Sequence, residues 1–363
     1  MVAVAELPFI TKILVPKERD HFVPRERLLN TLKAGLTRRV QVLWAAAGYG
    51  KTTALVGAVN RLPVPVCWYS FGPDDKEPGE LVRYCVRAFR ARFGEFGTGA
   101  PQLLRQFSDA DWRAQLGLFV TALHSDIQGA VLLVLDDVHH IDANPEMSEA
   151  LSLLIERAPE HVRFLLASRT RPSLRCLPRL AAQDDVQWLG TEDLRFSTQE
   201  TATLLSKLWS RPVKPEEAEG IATRTAGWAA GIVLTAKAQG DARAPLTVMT
   251  PDNGVLFDYT AQEILAGIPA SVRSFLLQTS ILKEFTPGIC DRLVGLTDSH
   301  QVIAQIKERG LFLEERLDGE TPVYRYHDLF RECLEKVFLS RDAAAFHSLN
   351  VKAASQISEL GEH

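Results

Sequence analysis

The sequence lacks long apolar runs, paired cysteines and an excess of charge of one sign. Its five cysteines are scattered without a Cys-x-x-Cys pair, which favours reduced thiols over a disulfide framework or a zinc site. The net charge of −4 gives no overall attraction to nucleic acid or to an anionic membrane. The longest strongly apolar stretches, Ala130–Leu135 and Trp228–Thr235, are far shorter than the ~20 residues that span a bilayer.

The beginning of the chain also lacks a targeting signal. Glu6 and Pro8 interrupt the region where a secretory signal needs an unbroken apolar run. These absences favour a cytoplasmic protein that contacts no membrane.

What is present is the composition of an ordinary globular protein. With 363 residues, 46% of them hydrophobic and 24% charged, the chain is long enough for two or three domains and is not disordered as a whole. Its first half alternates short apolar runs with amphipathic stretches, which is typical of βαβ units. The pattern predicts an α/β fold with five parallel strands, at Val40–Trp44, Val66–Phe71, Val131–Leu135, Phe164–Ala167 and Val186–Leu189.

The second half is predicted to be helical until a hairpin near its end. Ser197 and Glu200 form a capping-box pattern that begins a helix. The helical patterns that follow cover Glu216–Ala238, Phe257–Ala266, Ala270–Leu282 and Val302–Arg309, with a predicted linker at Gly240–Asn253. The runs Leu311–Leu317 and Val323–Tyr326 resemble the β-hairpin wing of a winged helix, and a helix is predicted from about Asp328.

A glycine loop lies between the first predicted strand and the next helix. The run from Ala45 to Thr53 reads Ala-Ala-Ala-Gly-Tyr-Gly-Lys-Thr-Thr, and such a turn directs backbone N–H groups and a helix N-terminus at one point, which suits a polyphosphate. Lys51 is predicted to reach the β- and γ-phosphates and Thr52 to ligate Mg²⁺. The strict phosphate-loop pattern has glycine where this chain has Ala45. The alternative interpretation is that the Gly-Lys-Thr turn occurs by chance. The predicted nucleotide-binding residues here are Gly48, Tyr49, Gly50, Lys51, Thr52 and Thr53.

Two acids follow the third predicted strand. A carboxylate at the carboxyl end of a central strand lies where ligands bind in open α/β sheets. We predict that Asp136 holds Mg²⁺ and that Asp137 orients or activates the attacking water, with Lys51 as the third catalytic residue. Two loop acids that cap the next helix are the alternative. Of the adjacent histidines, His139 is predicted to have a structural or nucleotide-side role and His140 to be solvated.

An arginine follows the fourth predicted strand. We predict that Arg169 contacts the γ-phosphate of a bound nucleotide and responds when hydrolysis removes that phosphate. The alternative is a strand-end arginine that pairs with a nearby acid.

At these residues the chain resembles the MalT-like regulators, a branch of the STAND class of signal-transducing NTPases. The resemblance covers nearly the whole chain, and the order of its pieces is more specific than the glycine loop alone. The matching segments are Val23–Leu28, Ala47–Thr53, Trp68–Ser70, Leu135–His139, Ala167–Thr170, Leu194–Ser197, Thr225–Trp228, Phe275–Ser280 and Tyr324–Phe330.

The resemblance implies three domains followed by the start of a helical region, with adenine-nucleotide contacts in each half of the chain. It implies a P-loop nucleotide-binding domain at 1–195, a small helical domain at 196–252, a winged helix at 253–340 and the start of a helical sensor region at 341–363. Val23 and Arg25 would lie beside the adenine. Gly227-Trp228-Ala229 matches a Gly-x-Pro sensor with alanine in place of proline, and His327 matches a winged-helix histidine that contacts the β-phosphate of ADP.

The resemblance also implies partners. An ADP-bound resting state, slow hydrolysis, and self-association driven by ATP and an inducer are the expected behaviour. The inducer or regulatory protein would act through a C-terminal sensor, and DNA would be contacted only through an output domain. We expect both to lie in a longer regulator of which this chain is the N-terminal part.

Two other functions remain open from the residues. The first is a turnover ATPase, such as a motor or a transporter subunit. The sequence gives it little support, because it contains no Leu-Ser-Gly-Gly-Gln signature and no obvious arginine finger. In addition, Asp137 stands where related ATPases with fast hydrolysis usually have glutamate. Direct DNA binding by the winged helix is disfavoured because residues 258–341 contain thirteen acidic and ten basic side chains.

Overall fold

The computed structural model describes residues 9–98, 112–239, 264–265, 267–318 and 321–361. The chain divides into two compact units. The first consists of Met1–Ala45 and Lys51–Leu194, and the second of Ala46–Gly50 and Arg195–His363. The predicted linker Gly240–Asn253 and most of the predicted helix Phe257–Ala266 lie outside the described residues.

A parallel sheet forms the centre of the first unit. Its strands are β1 (Val40–Trp44), β2 (Val66–Ser70), β3 (Val131–Asp136), β4 (Val162–Ser168) and β5 (Val186–Leu189), paired in the order β2-β3-β4-β1-β5. All four pairings are parallel, so the carboxyl ends of the strands meet at one edge. β3 is buried along its whole length, as its unbroken apolar run predicts. The five-stranded sheet expected from the sequence is confirmed in the described part of the chain.

Helices cover the sheet and supply the rest of its apolar core. They are α1 (Glu26–Ala34), α2 (Lys51–Val59), α3 (Pro78–Phe93), α4 (Trp112–Asp126), α5 (Pro145–Arg157), α6 (Leu177–Ala182) and α7 (Thr191–Leu194). α6 begins at Leu177, and the proline that follows it suits the first turn of a helix.

The second unit contains helices and one antiparallel hairpin. Its helices are α8 (Thr198–Trp209), α9 (Pro215–Thr225), α10 (Ala229–Gln239), α11 (Ala270–Thr279), α12 (Pro287–Val294), α13 (Ser299–Glu308), α14 (Asp328–Arg341) and α15 (Ala343–Gly361). The predicted capping box is confirmed, since Ser197 and Glu200 each bond the other's backbone N–H. Within the residues described above, no helix combines the length and apolar character needed to cross a membrane.

The helical patterns predicted across Glu216–Ala238 correspond to two helices, α9 and α10, with a turn between them. α9 ends at Thr225, and Ala226 and Gly227 both adopt left-handed backbone, with φ of 47° and 69°. A Cβ at Gly227 would lie 2.6 Å from the Phe196 carbonyl oxygen, so only glycine allows this close approach. The chain therefore turns sharply before α10.

The hairpin consists of β6 (Leu313–Asp318) and β7 (Thr321–Tyr326). Their antiparallel register pairs Leu313 with Tyr326. β6 begins two residues later than the predicted Leu311, because Phe312 adopts φ of 49° and cannot continue an extended strand. α14 follows directly after His327, as predicted.

Candidate functional site

Lys51 is the first residue of α2, at the carboxyl edge of the sheet. Its side chain is buried, and Nζ donates a hydrogen bond to the Ala45 carbonyl at 2.6 Å. Burial lowers the pKa of Lys51 to about 8, although the Asp137 and Asp136 carboxylates act in the opposite direction. An anionic ligand beside Nζ would raise this pKa again, because it would favour the charged form.

Thr52 and Asp136 meet across 84 residues of sequence. The Thr52 hydroxyl donates to Asp136 Oδ2 at 2.8 Å, and the Asp137 backbone N–H donates to Oδ1 at 3.0 Å. Burial, and then the neighbouring Asp137, raise the pKa of Asp136 to about 6. A hydroxyl and a buried carboxylate in contact are the donor set through which proteins hold Mg²⁺ beside a phosphate.

Asp137 lies immediately after β3 in an unusual conformation. Its φ and ψ are 57° and 37°, which is the left-handed region that non-glycine residues rarely enter. Its carboxylate Oδ1 lies 3.7 Å from Nδ1 of His139. His140 is exposed, and Arg169 is half-buried just after β4. The structure thus brings both acids to the edge where the sequence placed them.

The segment before α1 is held by backbone carbonyls of the same unit. Val23 and Arg25 are both buried, and the Arg25 guanidinium donates to the Leu194 carbonyl at 2.9 Å. This bond gives Arg25 a structural function at the end of α7, which the resemblance to a known family did not indicate.

A narrow cavity lies between this segment and α2. Its lining includes Phe22, whose ring occupies the space that a Cβ at Gly57 would fill. The free space amounts to about 10 Å³, which is room for about one water molecule. An adenine ring would therefore need Phe22 or its neighbours to move. The glycine inside α2 was the signal for this packing, and the sequence analysis missed it.

In the second unit, the loop Ala46–Gly50 is held by the beginning of α10. Gly48 and Gly50 have φ of 82° and 76°. The Trp228 indole N–H donates to the Ala47 carbonyl at 3.2 Å, and the Ala230 N–H donates to the Gly48 carbonyl at 2.9 Å. A Cβ at Gly48 would lie 2.5 Å from Trp228 Nε1, so glycine is required here for both conformation and space. Trp228 thus contacts the glycine loop itself.

Tyr49 extends this contact to the winged helix. Its ring is fully buried and stacks on Phe312 with the centroids 5.4 Å apart. Phe312 also meets Trp228 edge-on at 4.9 Å and packs against Phe330 at 4.7 Å. Phe312 could not be predicted from the sequence, because a phenylalanine in left-handed backbone has no sequence signature.

His327 is connected to the same ring. Its backbone N–H donates to the Phe312 carbonyl at 2.9 Å, and its Nε2 lies 3.3 Å from Arg195 Nη2 and 3.8 Å from Glu314 Oε1. Burial, and then Arg195, lower the pKa of His327 to about 4 against the opposing effect of Glu314. A guanidinium has no acceptor, so Nε2 of the neutral ring accepts this bond and Nδ1 carries the proton. Arg195 is a second contact that the sequence analysis missed.

Most of the predicted site residues therefore form two groups, and Val23, Arg25, Gly50 and Arg169 belong to neither. In the first unit the group is Lys51, Thr52, Asp136 and Asp137, with Thr53 half-buried in the first turn of α2. In the second unit Gly48, Tyr49, Trp228 and His327 are joined, with Phe312 between them. The peptide bond between Gly50 and Lys51 makes the chain continuous from one group to the other.

No cluster of three or more histidine, cysteine or acidic side chains suited to a metal occurs in the part of the chain that the structure describes. A cation at Thr52 and Asp136 would therefore need further ligands from water and from phosphate, which is the usual coordination of Mg²⁺.

The fold and the site define the class of the protein. A parallel sheet of this order, with a glycine loop between β1 and α2, is a P-loop NTPase fold, and helices and a winged helix follow it. The Walker-type ATPase of Pyrococcus abyssi has a similar structure, with a TM-score of 0.54 at 11% identity, over 87% of this chain and 97% of that chain. This likeness concerns the fold alone.

The more particular similarity is to MalT. Residues 261–346 match the MalT winged helix domain. The HTH-type transcriptional regulators MalT of Klebsiella pneumoniae and Cronobacter sakazakii are each 27% identical to this chain over 334 residues. That alignment covers 90% of the chain and 36% of each relative, so the chain spans little more than a third of their length. The resemblance to MalT-like regulators is confirmed, and the chain combines a P-loop ATPase fold with a winged helix of the MalT type.

Proposed function

We propose that the chain binds ATP and ADP and is the STAND-type switch module of a bacterial transcriptional regulator. The nucleotide phosphates would lie on the loop Ala46–Gly50 and the first turn of α2. We also propose the boundaries predicted above, namely 1–195 for nucleotide binding, 196–252 for the small helical domain, 253–340 for the winged helix and 341–363 for the start of a helical region.

The residues of the first unit fit a nucleotide with Mg²⁺. Lys51 is a buried cation at a helix N-terminus, which favours an anion. Thr52 and Asp136 would hold the cation, which supplies charge neutralisation at the phosphates. Asp137 would orient the attacking water, and Arg169 would contact the γ-phosphate. Val23 and Arg25 would lie on the adenine side.

The observation that carries the proposal of a switch is the packing of the glycine loop within the second unit. Loop residue Tyr49 is buried against Phe312, and Trp228 bonds the backbone of the same loop. Phe312 in turn accepts a hydrogen bond from the backbone of His327. A change in this loop on nucleotide exchange would therefore disturb the winged-helix residues directly. These contacts support a resting state held by ADP, with His327 at the β-phosphate.

The energy required indicates that nucleotide alone does not operate the switch. Moving a two-state equilibrium from 1:99 to 99:1 takes about 5.5 kcal/mol of differential binding. The loss of one charge-assisted hydrogen bond supplies roughly 1.5–3 kcal/mol. Exchange of ADP for ATP and the binding of an inducer would therefore act jointly to drive multimerisation, and hydrolysis would serve to reset the switch slowly.

We propose that another part of the regulator binds DNA. Residues 258–341 carry an excess of acidic over basic side chains, which is unfavourable for holding phosphates. We expect no electrophoretic shift of DNA with this chain, and a salt-sensitive complex would contradict this part of the proposal.

The first experiment is to denature the purified chain and to identify the released nucleotide by ion-exchange chromatography. Near-stoichiometric ADP is expected from the wild-type chain and little from Lys51→Ala. A folded wild-type chain that releases no nucleotide would contradict the ADP-held resting state. A steady-state hydrolysis rate of many turnovers per second would favour the turnover ATPase instead.

The contribution of His327 is tested separately. His327→Ala is expected to speed the release of fluorescent ADP about tenfold, because one hydrogen bond to a charged phosphate is lost. The matched control is His300→Ala, which alters an exposed histidine on α13 and leaves release unchanged. Equal release rates for His327→Ala and wild type would remove His327 from the site.

A further inference from the structure

The backbone of Arg195 lies beside the residues that contact the glycine loop. Its neighbour Phe196 donates a backbone N–H to the Gly227 carbonyl at 2.9 Å, and a Cβ at Gly227 would lie 3.1 Å from the Cβ of Arg195. Gly227 directly precedes Trp228, whose indole N–H donates to the Ala47 carbonyl of the loop. Arg195 is therefore fixed next to the segment that holds the glycine loop within the second unit.

The side chain of Arg195 reaches one particular nitrogen of the His327 ring. Nη2 of the half-buried guanidinium lies 3.3 Å from Nε2 of the buried imidazole. Oε1 of Glu314 lies 3.8 Å from the same nitrogen, which is too long for a hydrogen bond. The other oxygen of Glu314, Oε2, accepts a hydrogen bond from Arg325 Nε at 2.6 Å and so holds this carboxylate on the hairpin. Arg195 is therefore the closer of these two groups to Nε2.

Arg195 and Glu314 favour opposite tautomers of the His327 ring. A guanidinium has no acceptor, so a hydrogen bond from Arg195 requires Nε2 to carry no proton. An ionised carboxylate only accepts, so Glu314 at hydrogen-bond distance would favour a proton on Nε2. Burial, and then Arg195, lower the pKa of His327 to about 4, so the ring is neutral at neutral pH and has one N–H. The position of that proton decides which nitrogen of the ring can donate to a phosphate.

We infer that Arg195 is a positioning residue for bound ADP, because it keeps the proton of His327 on Nδ1 and makes that N–H the donor to the β-phosphate. The inference rests on the proposed function, in which His327 contacts this phosphate. The backbone of His327 is held independently, since its N–H donates to the Phe312 carbonyl at 2.9 Å. Arg195 thus sets the tautomer and the rotation of a ring whose attachment point is already fixed. It would act only through His327 and would not itself contact the nucleotide.

The tautomer is measured directly in the wild-type chain. Proton–nitrogen correlation NMR spectra distinguish a ring nitrogen that carries a proton from one that does not, and the signals lost in His327→Gln assign this ring. We expect wild-type His327 to have a protonated Nδ1 and an unprotonated Nε2 at neutral pH. In Arg195→Ala the proton should move to Nε2, where Glu314 can accept it. A wild-type ring with its proton on Nε2, or the same tautomer in both proteins, would overturn the inference.

The release of fluorescent ADP shows whether the tautomer affects retention of the nucleotide. Arg195→Ala should release ADP about tenfold faster than wild type, because the ring no longer presents Nδ1–H to the phosphate. Arg195→Lys keeps a donor without an acceptor, so its release rate should stay within about threefold of wild type. The matched control is Arg341→Ala, which removes an exposed arginine at the end of α14 and should leave release unchanged. A lysine variant that releases ADP as fast as the alanine variant would contradict a role as hydrogen-bond donor.

A double-mutant cycle separates action through His327 from direct contact with the nucleotide. In a His327→Ala background, Arg195→Ala should speed release by less than about twofold, because the ring that it positions is already absent. A further, additive increase would mean that Arg195 binds the phosphate itself, and it would overturn the inference. Wild-type release from Arg195→Ala would overturn it too.

The same measurements distinguish failure of this inference from failure of the proposed function. A wild-type chain that retains ADP through His327, but whose release does not depend on Arg195, overturns the inference alone. A folded wild-type chain that binds no nucleotide overturns the proposed function, and the role of Arg195 in retention with it.

Discussion

The ring of Tyr49 stacks on the ring of Phe312, with centroids 5.4 Å apart and planes inclined by 16°. Tyr49 stands between the two glycines of the loop, and Phe312 stands in the turn that leads into β6. Phe312 also contacts Trp228 and accepts the backbone hydrogen bond of His327. Phe312 therefore contacts the loop and the residue before α10 through its ring, and the histidine proposed to contact nucleotide through its backbone carbonyl.

Replacement of Phe312 by alanine is expected to loosen this group. The rings of Tyr49 and Trp228 lose a packing partner, and a buried Phe→Ala change typically costs about 3–5 kcal/mol of stability. We expect ADP release to become about tenfold faster, measured by chasing a fluorescent ADP analogue with unlabelled nucleotide. Release at the wild-type rate would mean that the ring does not couple the loop to the winged helix.

The strain at Phe312 is tested by a second substitution at the same site. Phe312→Gly removes the same ring but adopts φ of 49° without steric cost. The glycine variant should therefore unfold in urea with a free energy about 1 kcal/mol higher than the alanine variant. Equal stabilities would show that the left-handed backbone stores no strain.

Thr52→Val is expected to abolish the dependence of ADP affinity on Mg²⁺. Valine has nearly the shape of threonine but lacks the hydroxyl that now donates to Asp136. Titration with ADP in Mg²⁺ and in EDTA measures the effect, and Thr52→Ser, which keeps a hydroxyl, serves as the control. A Mg²⁺ enhancement that persists unchanged in the valine variant would place the cation elsewhere.

Stability is expected to fall in acid because of His327. Its pKa is lowered to about 4 by folding, so between pH 6.5 and 4 the unfolded chain binds more protons than the folded chain. The free energy of unfolding should therefore fall as pH is lowered through this window, by at most about 1.4 kcal/mol per pH unit for this group, and His327 contributes no slope above it.

Urea unfolding of the wild type and of His327→Gln, from pH 4 to 8, measures this contribution. Asp136 has the opposite sign, since its pKa is raised to about 6, but it is common to both proteins and cancels in the difference. The difference in stability should change only below about pH 6.5. Parallel curves would show that His327 is not held neutral by the fold.

Arg39 is expected to be essential for stability but not for nucleotide binding. Its buried guanidinium donates to the carbonyls of Ile155, Ala158, Pro159 and Val162 near the end of α5. Lysine has a single nitrogen and cannot reach all four, so Arg39→Lys should lower the free energy of unfolding by roughly 3 kcal/mol.

The control for Arg39 is Arg163→Lys on the neighbouring β4, where the side chain is only half-buried. This change should shift stability by less than about 0.5 kcal/mol. If both substitutions lower the free energy of unfolding by a similar amount, the hydrogen bonds from Arg39 to the four carbonyls do not make it more important for stability than Arg163. ADP affinity should be unchanged in both variants.

The sequence was sufficient for most features that depend on local pattern. Short, mostly apolar runs predicted all five strands, and the unbroken run of β3 also predicted that this strand is buried on both faces. The capping box at Ser197 and the loop before Lys51 were readable because both depend on residue types a few positions apart. The order of these motifs also carried the resemblance to MalT-like regulators.

Other features depend on contacts between distant residues, and only the tertiary structure decided them. Arg195 reaches His327 across 132 residues, and Phe22 fills the space beside Gly57, yet neither pairing leaves a local signature. The left-handed backbone of Phe312 contradicts the preference of its own residue type, because packing against Tyr49, Trp228 and Phe330 outweighs that preference. Local chemistry thus determined the elements and the glycine loop, whereas burial and long-range packing determined which side chains surround that loop.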